Sequence, residues 1–480
     1  MKILLLSTYE LGRPPFGLAE PAAWLRDAEA PHRHDVQLLD LSIDALDETA
    51  VRDADLVALY LPMHTATRLA ASLLPRLRSL NPAAHLAAYG LYAPMNEPYL
   101  RQLGVRTVLG GEFEAGLLAL AERLAQSLER NGPAPATGGP ELESAQPEPR
   151  ISTARQRFRV PDRTGLPPLD RYAKLVLPDG TERLAGYVEA SRGCKHRCRH
   201  CPVVPVYDGR FRVVPPDVVI ADVAQQVAAG ARHVTFGDPD FLNGPKHAFA
   251  IIRALKAAFP DITYDVTIKI SHLLDTPGAP ALLKETGCLF VTSAAESVDD
   301  RVLARLLKGH TRAGFHHAVA ICEEAGLPLA PTFVPFTPWT TLEGYLDLLR
   351  DVAALGIAER VAPVHLAIRL LLPSGSRLLD LDEVKSLAGP LDAQALCHPW
   401  RNPDARVDAL QAELEALAQA APDAPRRELF GRIWERAHTR AGLHDAPPPG
   451  PDAFRAAPAP RMSEPWYCCA EPTVAQREWI

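Results

Sequence analysis

Two alternating strand–helix series, separated by a stretch rich in proline and glycine, predict an α/β protein. The first series reads as a doubly wound parallel sheet, the second as a partial (β/α)6 barrel, and a helical extension follows. The helices carry apolar residues three or four apart on one face, and the first strand, Lys2–Thr8, is an apolar run that reads as buried.

In the first series, strands are expected at Lys2–Thr8, Val36–Leu41, Leu56–Leu61, Ala87–Gly90 and Val105–Gly110. A helix over Thr67–Leu80 sets Leu69, Leu73 and Leu77 on one face. Residues 131–165 have no apolar period and read as a linker. In the second series, strands are expected at Ala185–Ala190, His233–Phe236, Thr263–Ile270, Leu289–Ser293, Pro328–Val334 and Val361–Leu370. Between them Val218–Ala229 is helical, with Ile220, Val223 and Val227 on one face. Past residue 400, helices are expected at Ala405–Ala421, on Val407, Leu410, Leu414 and Leu417, and at Arg426–Arg440, on Leu429, Ile433 and Ala437. The domains are therefore read as 1–130, a linker 131–165, a core 166–395, a helical extension 396–445, and a proline-rich connector with a tail, 446–480.

The 480 residues are 47% hydrophobic and 23% charged, an ordinary globular composition for two to three domains. A net charge of −7 gives no general reason to bind nucleic acid or an anionic membrane. No run of about 18 apolar residues suggests a membrane span, and the first residues lack a secretion signal, so a cytoplasmic chain with reduced thiols is expected. Three of the eight cysteines then fall within eight residues, which points to metal binding rather than disulfides.

Those three lie in Ala190-Ser-Arg-Gly-Cys194-Lys-His-Arg-Cys198-Arg-His-Cys201-Pro, directly after an expected strand. Three thiolates on one loop can hold three irons of a [4Fe–4S] cubane and leave the fourth iron open. Gly193 permits the tight turn. A structural zinc site would need a fourth ligand, and His196 and His200 are both wedged between cysteines.

Cys-x3-Cys-x2-Cys in this setting resembles the radical S-adenosylmethionine (SAM) superfamily, over residues of about 185–390. The resemblance implies a [4Fe–4S] cluster on Cys194, Cys198 and Cys201, SAM on the open iron, and an electron donor such as flavodoxin or ferredoxin. It places His200 near the adenine. It places Gly237 and either Asp238 or Asp240, in Phe236-Gly-Asp-Pro-Asp-Phe241, near the SAM amino group. Ser271, in Ile268-Lys-Ile-Ser-His, and Glu296, in Thr292-Ser-Ala-Ala-Glu-Ser-Val-Asp, are further SAM-side candidates, Glu296 for the ribose hydroxyls. The plainer alternatives are a solvated His200, an Asp-Pro turn and a helix N-terminal Glu296. The pieces at Glu296–Leu303 and Lys308-Gly-His-Thr311 are similar to the radical SAM group with an attached cobalamin domain. Ile368–Ser376 has the small-residue ending expected under the adenine.

The first 130 residues resemble the cobalamin-binding Rossmann domain of that group. The base-off motif Asp-x-His-x-x-Gly is absent, His64 lacking an Asp at the right offset, but relatives keep this domain without the motif, so the resemblance leaves cobalamin possible without indicating it, with a structural or dimerisation role as the alternative.

Near the end stands Cys468-Cys469-Ala-Glu471-Pro472. Adjacent cysteines bridge only with strain, so two free thiols are expected. The tail resembles that of the CUAEP/CCAEP-tail radical SAM (seleno)proteins, some of which carry selenocysteine where this chain has Cys469. That group includes arsinothricin-type enzymes. The resemblance implies transfer of the 3-amino-3-carboxypropyl group of SAM to trivalent arsenic, which the soft thiolates of Cys468 and Cys469 could hold; whether a third thiol, Cys322 or Cys397, joins them the sequence leaves open. Two other functions stay open: 5′-deoxyadenosyl radical chemistry on another small metabolite, and an iron–sulfur or zinc-dependent sensor. The charge and the lack of a basic RNA-binding domain speak against the sensor.

Overall fold

The computed structural model describes residues 1–27, 31–131, 146–276, 278–421, 424–464, 467 and 470–478. Five apolar runs near the N-terminus form parallel strands: β1 (Lys2–Ser7), β2 (Asp35–Asp40), β3 (Leu56–Tyr60), β4 (His85–Tyr89) and β5 (Thr107–Gly111). A sixth, β6 (Ile151–Ser152), completes the order β2-β1-β3-β4-β5-β6. The lack of alternation follows from burial on both faces. Leu4, Leu6, Val57 and Leu59 pack on one side of the sheet, and Ile3, Leu5, Ala58 and Tyr60 on the other. The helix His64–Leu80 starts three residues before the expected Thr67, and Leu69, Leu73 and Leu77 are buried as its period requires.

Part of the expected linker is ordered along the edge of this sheet. The Gln146 side chain donates to the Val108 carbonyl at 2.8 Å and accepts from its N–H at 2.9 Å, standing in for a strand. β6 then pairs with β5 in parallel.

The second sheet has the order β14-β13-β12-β11-β8-β7-β15. Its parallel centre is β8 (Glu182–Val188), β11 (His233–Phe236), β12 (Thr263–Thr267), β13 (Cys288–Glu296) and β14 (Leu329–Phe333). At the edge, β7 (Lys174–Val176) and β15 (Arg461–Met462) run antiparallel. A small ribbon of β9 (Ser191–Gly193) and β10 (Phe211–Val213) leads into and out of the cysteine loop. The sheet is a curled half-barrel.

The sixth barrel strand expected over Val361–Leu370 does not form. After a 3-10 turn at Ala358–Arg360 that segment makes another, Pro363–Leu366, and its one ladder contact is an isolated parallel bridge from Arg369 to Phe336, three residues past β14. Pro363 lacks the N–H a ladder needs, so burial of Val361, Val364 and Leu366 is met by turns instead. The strand expected over Thr263–Ile270 likewise ends at Thr267, because Ile270 opens a short helix, Ile270–Asp275. The helices Ala405–Ala420 and Arg426–Arg440 form as expected and put Leu410, Leu414, Ile433 and Ala437 into the core of the half-barrel. No helix among the described residues is long and apolar enough to cross a membrane.

The two sheets present their C-terminal strand ends to each other across one cavity. Glu10 after β1, Pro62 after β3 and Leu91 after β4 line it from one side. Glu189 after β8, Gly237 after β11 and Glu296 at the end of β13 line it from the other. In parallel α/β sheets these ends, and the switch point between β1 and β3, are where ligands bind.

Candidate active site

The cavity measures about 440 Å³ and brings together Cys194, Cys198, Cys201, His200, Gly237, Asp240 and Glu296. The cysteine loop leaves β9 through Gly193, whose φ of +72° and closeness to the Arg210 carbonyl (2.5 Å from a would-be Cβ) exclude any other residue. Cys198 is buried, and Cys194 and Cys201 are half-buried. Burial pushes the Cys194 thiol up to about 11 and the Cys201 thiol up to about 12. Two buried lysines, Lys269 and Lys308, also face the cavity, and their charges act on these sulfurs. Three thiols with two buried cations beside them form a donor set suited to an anionic thiolate cluster.

Glu296 reaches the cavity because β13 is irregular there. The register with β14 shifts between Ala294 and Glu296, and Glu296 adopts φ +66°. Such a bulge re-aims a side chain at the cost of local strain. The carboxylate accepts from His200 Nε2 at 3.1 Å and from Lys308 Nζ at 3.4 Å. Burial opposes its charge, yet Lys308 and then His200 hold it down to about 2.

The two acids after β11 have separate tasks. Asp238 is turned inward, where its carboxylate accepts from Ala190 N at 2.9 Å and from Ser191 Oγ at 2.5 Å, fixing the corner that leads to the cysteine loop. Burial pushes its carboxyl up to about 7. Asp240 lines the cavity and lies 2.7 Å from His272 Nδ1, while His272 Nε2 is 2.9 Å from His196 Nε2. Gly237 leaves room for a neighbour, since a Cβ there would sit 1.9 Å from the Tyr187 hydroxyl. Ser271 is not in the cavity wall. Lys269, two residues earlier, takes that place as the chain turns into its helix.

A buried ion cluster ties the N-terminal domain to this loop. Arg192 is ion-paired with Glu189 (2.7 Å) and Glu114, and lies near Glu20 (3.7 Å) and Glu112 (3.9 Å). Burial pushes Glu20 and Glu112 up, while Arg192 holds Glu114 below the usual range against burial. Scattered single acids gave no sequence signal for this cluster. Lys308 and Lys269 stand in Lys308-Gly-His-Thr311 and Ile268-Lys-Ile-Ser-His, but only the fold shows them facing the thiols.

Cys468 and Cys469 lie outside the described residues. Their neighbours are placed. Tyr467 lines the cavity and packs edge-on against His365, with ring centres 4.4 Å apart. Thr65 Oγ1 donates to the Ala470 carbonyl at 2.8 Å, and Glu471 accepts from His64 Nε2 at 2.9 Å and from Arg68 Nε at 3.0 Å. Cys322 is sealed in the helix Arg312–Glu324 within the core, away from the cavity wall, because its face of that helix packs on the sheet. Cys397 is half-buried and feels the charges of Glu471 and Arg68.

A model of the radical SAM superfamily matches residues 188–351. The chain is 27% identical over 197 residues to the tRNA-2-methylthio-N(6)-dimethylallyladenosine synthase of Sorangium cellulosum, 36% of this chain and 39% of that protein. It is 27% identical over 191 residues to the bacteriochlorophyllide d C-8(2)-methyltransferase of Chlorobaculum tepidum, 38% of this chain and 41% of that one. It thus spans about two-fifths of the length of the curated relatives it matches. Two solved structures share the whole layout. The cobalamin-dependent SAM radical enzyme OxsB superposes with a TM-score of 0.65 at 14% identity, over 92% of this chain and 72% of that one. The radical SAM methyltransferase TsrM from Kitasatospora setae superposes with a TM-score of 0.62 at 17% identity, over 92% and 98%. At such identities the likeness is one of fold. Residues 188–351 thus match the radical SAM superfamily, a match that implies a [4Fe–4S] cluster and SAM, and they follow an N-terminal domain of the Rossmann kind.

Proposed function

We propose that this radical SAM enzyme transfers the 3-amino-3-carboxypropyl group of SAM to trivalent arsenic held by Cys468 and Cys469. The observation that carries the reading is the docked tail. Tyr467 lines the cavity of the three cluster cysteines, and Ala470 and Glu471 are gripped by Thr65, His64 and Arg68. Soft thiolates suit soft As(III), and an acceptor with a lone pair needs no hydrogen abstraction.

Bound in the cavity, the cluster and SAM would supply a carbon radical: one electron from the reduced cluster would break a sulfonium C–S bond with methylthioadenosine as the leaving group, and addition to As(III) would return one electron to the cluster, leaving an As(V)–carbon bond. The protein does the rest. Cys194, Cys198 and Cys201 hold the cluster, and Lys269 and Lys308 offset thiolate charge. Asp240 takes the SAM ammonium, and Glu296, kept ionised by Lys308 and His200, accepts from the ribose hydroxyls.

A second reading is methyl transfer or related chemistry on a small metabolite, with cobalamin in the N-terminal domain. It is favoured by the shared layout with OxsB and TsrM over 92% of the chain. His64 is hydrogen-bonded to Glu471. Anaerobic turnover with SAM, reductant and arsenite separates the two. The first reading gives methylthioadenosine and an aminocarboxypropyl arsenical, both dependent on arsenite and lost in Cys468→Ala and Cys469→Ala. Mainly 5′-deoxyadenosine, or S-adenosylhomocysteine, without arsenite dependence supports the second.

A further inference from the structure

The turn after β1 carries an acid and a base that do not pair with each other. Arg13 N donates to the Glu10 carbonyl at 3.0 Å, closing a four-residue turn. Its central residues both have positive φ, Leu11 at +56° and Gly12 at +67°. Such a turn sets the first and last residues within about 7 Å, on neighbouring positions. The arrangement is locked. A Cβ on Gly12 would lie 2.8 Å from Ala173 Cβ, and a leucine at positive φ costs about 1–3 kcal/mol that the surroundings must over-determine.

Both side chains line the cavity described above. Glu10 is only 6% exposed, and its Oε2 has no hydrogen-bond partner. Arg13 Nε has none either, and its guanidinium stands over the Tyr187 ring, 5.2 Å from the centre. Buried groups of this kind are normally satisfied, and an unmet carboxylate is among the costliest exceptions. Burial and then the charge of Glu189 push the Glu10 carboxyl well above its usual range while Arg13 pulls the other way, and Oε2, facing the cavity wall, is left without a hydrogen-bond donor. The Arg13 fork matches a carboxylate.

We propose that Glu10 and Arg13 cradle the head group of an α-amino acid, the ammonium on Glu10 and the carboxylate on Arg13. The cradle belongs to the N-terminal domain and is separate from Asp240, His200 and Glu296, which rise from the half-barrel. It rests on and deepens the functional reading: Asp240 takes this head group while it is part of SAM, and the cradle takes it once the C–S bond has broken and the 3-amino-3-carboxypropyl group has been transferred. A free amino acid used as acceptor would present the same chemistry.

The test is calorimetry on anaerobic holoprotein saturated with SAM, titrated with L-2-aminobutyrate, butyrate or propylamine. It needs neither arsenite nor turnover, so its outcome is independent of the arsenic reading. L-2-Aminobutyrate binds, and the two single-charge analogues bind at least tenfold more weakly. Glu10→Gln and Arg13→Gln each weaken L-2-aminobutyrate at least tenfold with iron content and SAM affinity unchanged, while Arg13→Lys, which keeps charge but not the fork, falls between. Under turnover, L-2-aminobutyrate inhibiting without being consumed assigns the cradle to the transferred group, and its conversion assigns the cradle to an acceptor. No L-2-aminobutyrate binding to the wild type, equal affinity in the variants, or loss of SAM binding in place of L-2-aminobutyrate binding overturns the proposal.

Discussion

Replacing Lys308 by methionine removes the main cation from a buried carboxylate while keeping most of the side-chain volume. Glu296 is 6% exposed and Lys308 3%. In the fold the Glu296 carboxyl drops from its ordinary 4.5 to about 2 against the push of burial, Lys308 contributing more than His200. A drop of that size corresponds to about 3 kcal/mol of stability at neutral pH. Breaking a buried pair from one side costs about 3–5 kcal/mol in general, because the remaining charge is stranded. Lys308→Met should therefore lower the unfolding free energy by about 3 kcal/mol, read from urea titrations at pH 7.5. Glu296→Gln/Lys308→Met should recover part of the loss, by about 1 kcal/mol or more, since no charge is then stranded. The pH dependence has a definite sign. The folded pKa is depressed, so the stabilisation is complete above pH 4.5 and disappears as pH falls toward 2. The gap between wild type and Lys308→Met should close over that window. A loss below about 0.5 kcal/mol, or a gap independent of pH, would refute the reasoning.

Arg192→Met should be worse tolerated, because it leaves Glu189, Glu114, Glu20 and Glu112 facing one another without their shared cation. We expect a loss of at least about 3 kcal/mol, and thermal melts should show the two domains separating into distinct transitions. Glu471→Ala removes acceptors for His64 and Arg68, charge-assisted bonds worth about 1.5–3 kcal/mol each. Limited proteolysis should then cut near the C-terminus at least tenfold faster, with iron content unchanged and product formation reduced.

Much of the fold was legible because periodicity reports burial. Every strand expected in the N-terminal sheet formed to within two residues, since each is buried on both faces and bounded by turns. The failure at Val361–Leu370 shows the limit of that signal. An apolar run reports burial, not the hydrogen bonds that satisfy it, and Pro363 tips this one into 3-10 turns. The cysteine loop was legible as a motif, because three thiols at that spacing serve few purposes. The separation of Asp238 from Asp240 was not, since which of two acids turns inward depends on Ala190 and Ser191, nearly fifty residues away. The apolar pattern runs the strand to Ile270 and points to Ser271, whereas the helix starting at Ile270 brings Lys269 to the cavity instead. The Glu10–Arg13 turn left no trace in any pattern, as its meaning comes from the domain that closes over it.

The central claim is that Cys194, Cys198 and Cys201 hold a [4Fe–4S] cluster whose open iron takes SAM in the cavity between the two sheets. Electron paramagnetic resonance of the reduced, anaerobically reconstituted protein tests it most directly. The account predicts about four irons per chain, a reduced-cluster signal that changes when SAM is added, and loss of both iron and signal in Cys194→Ala/Cys198→Ala/Cys201→Ala. A protein that takes up zinc alone, or a cluster whose signal ignores SAM, would contradict it.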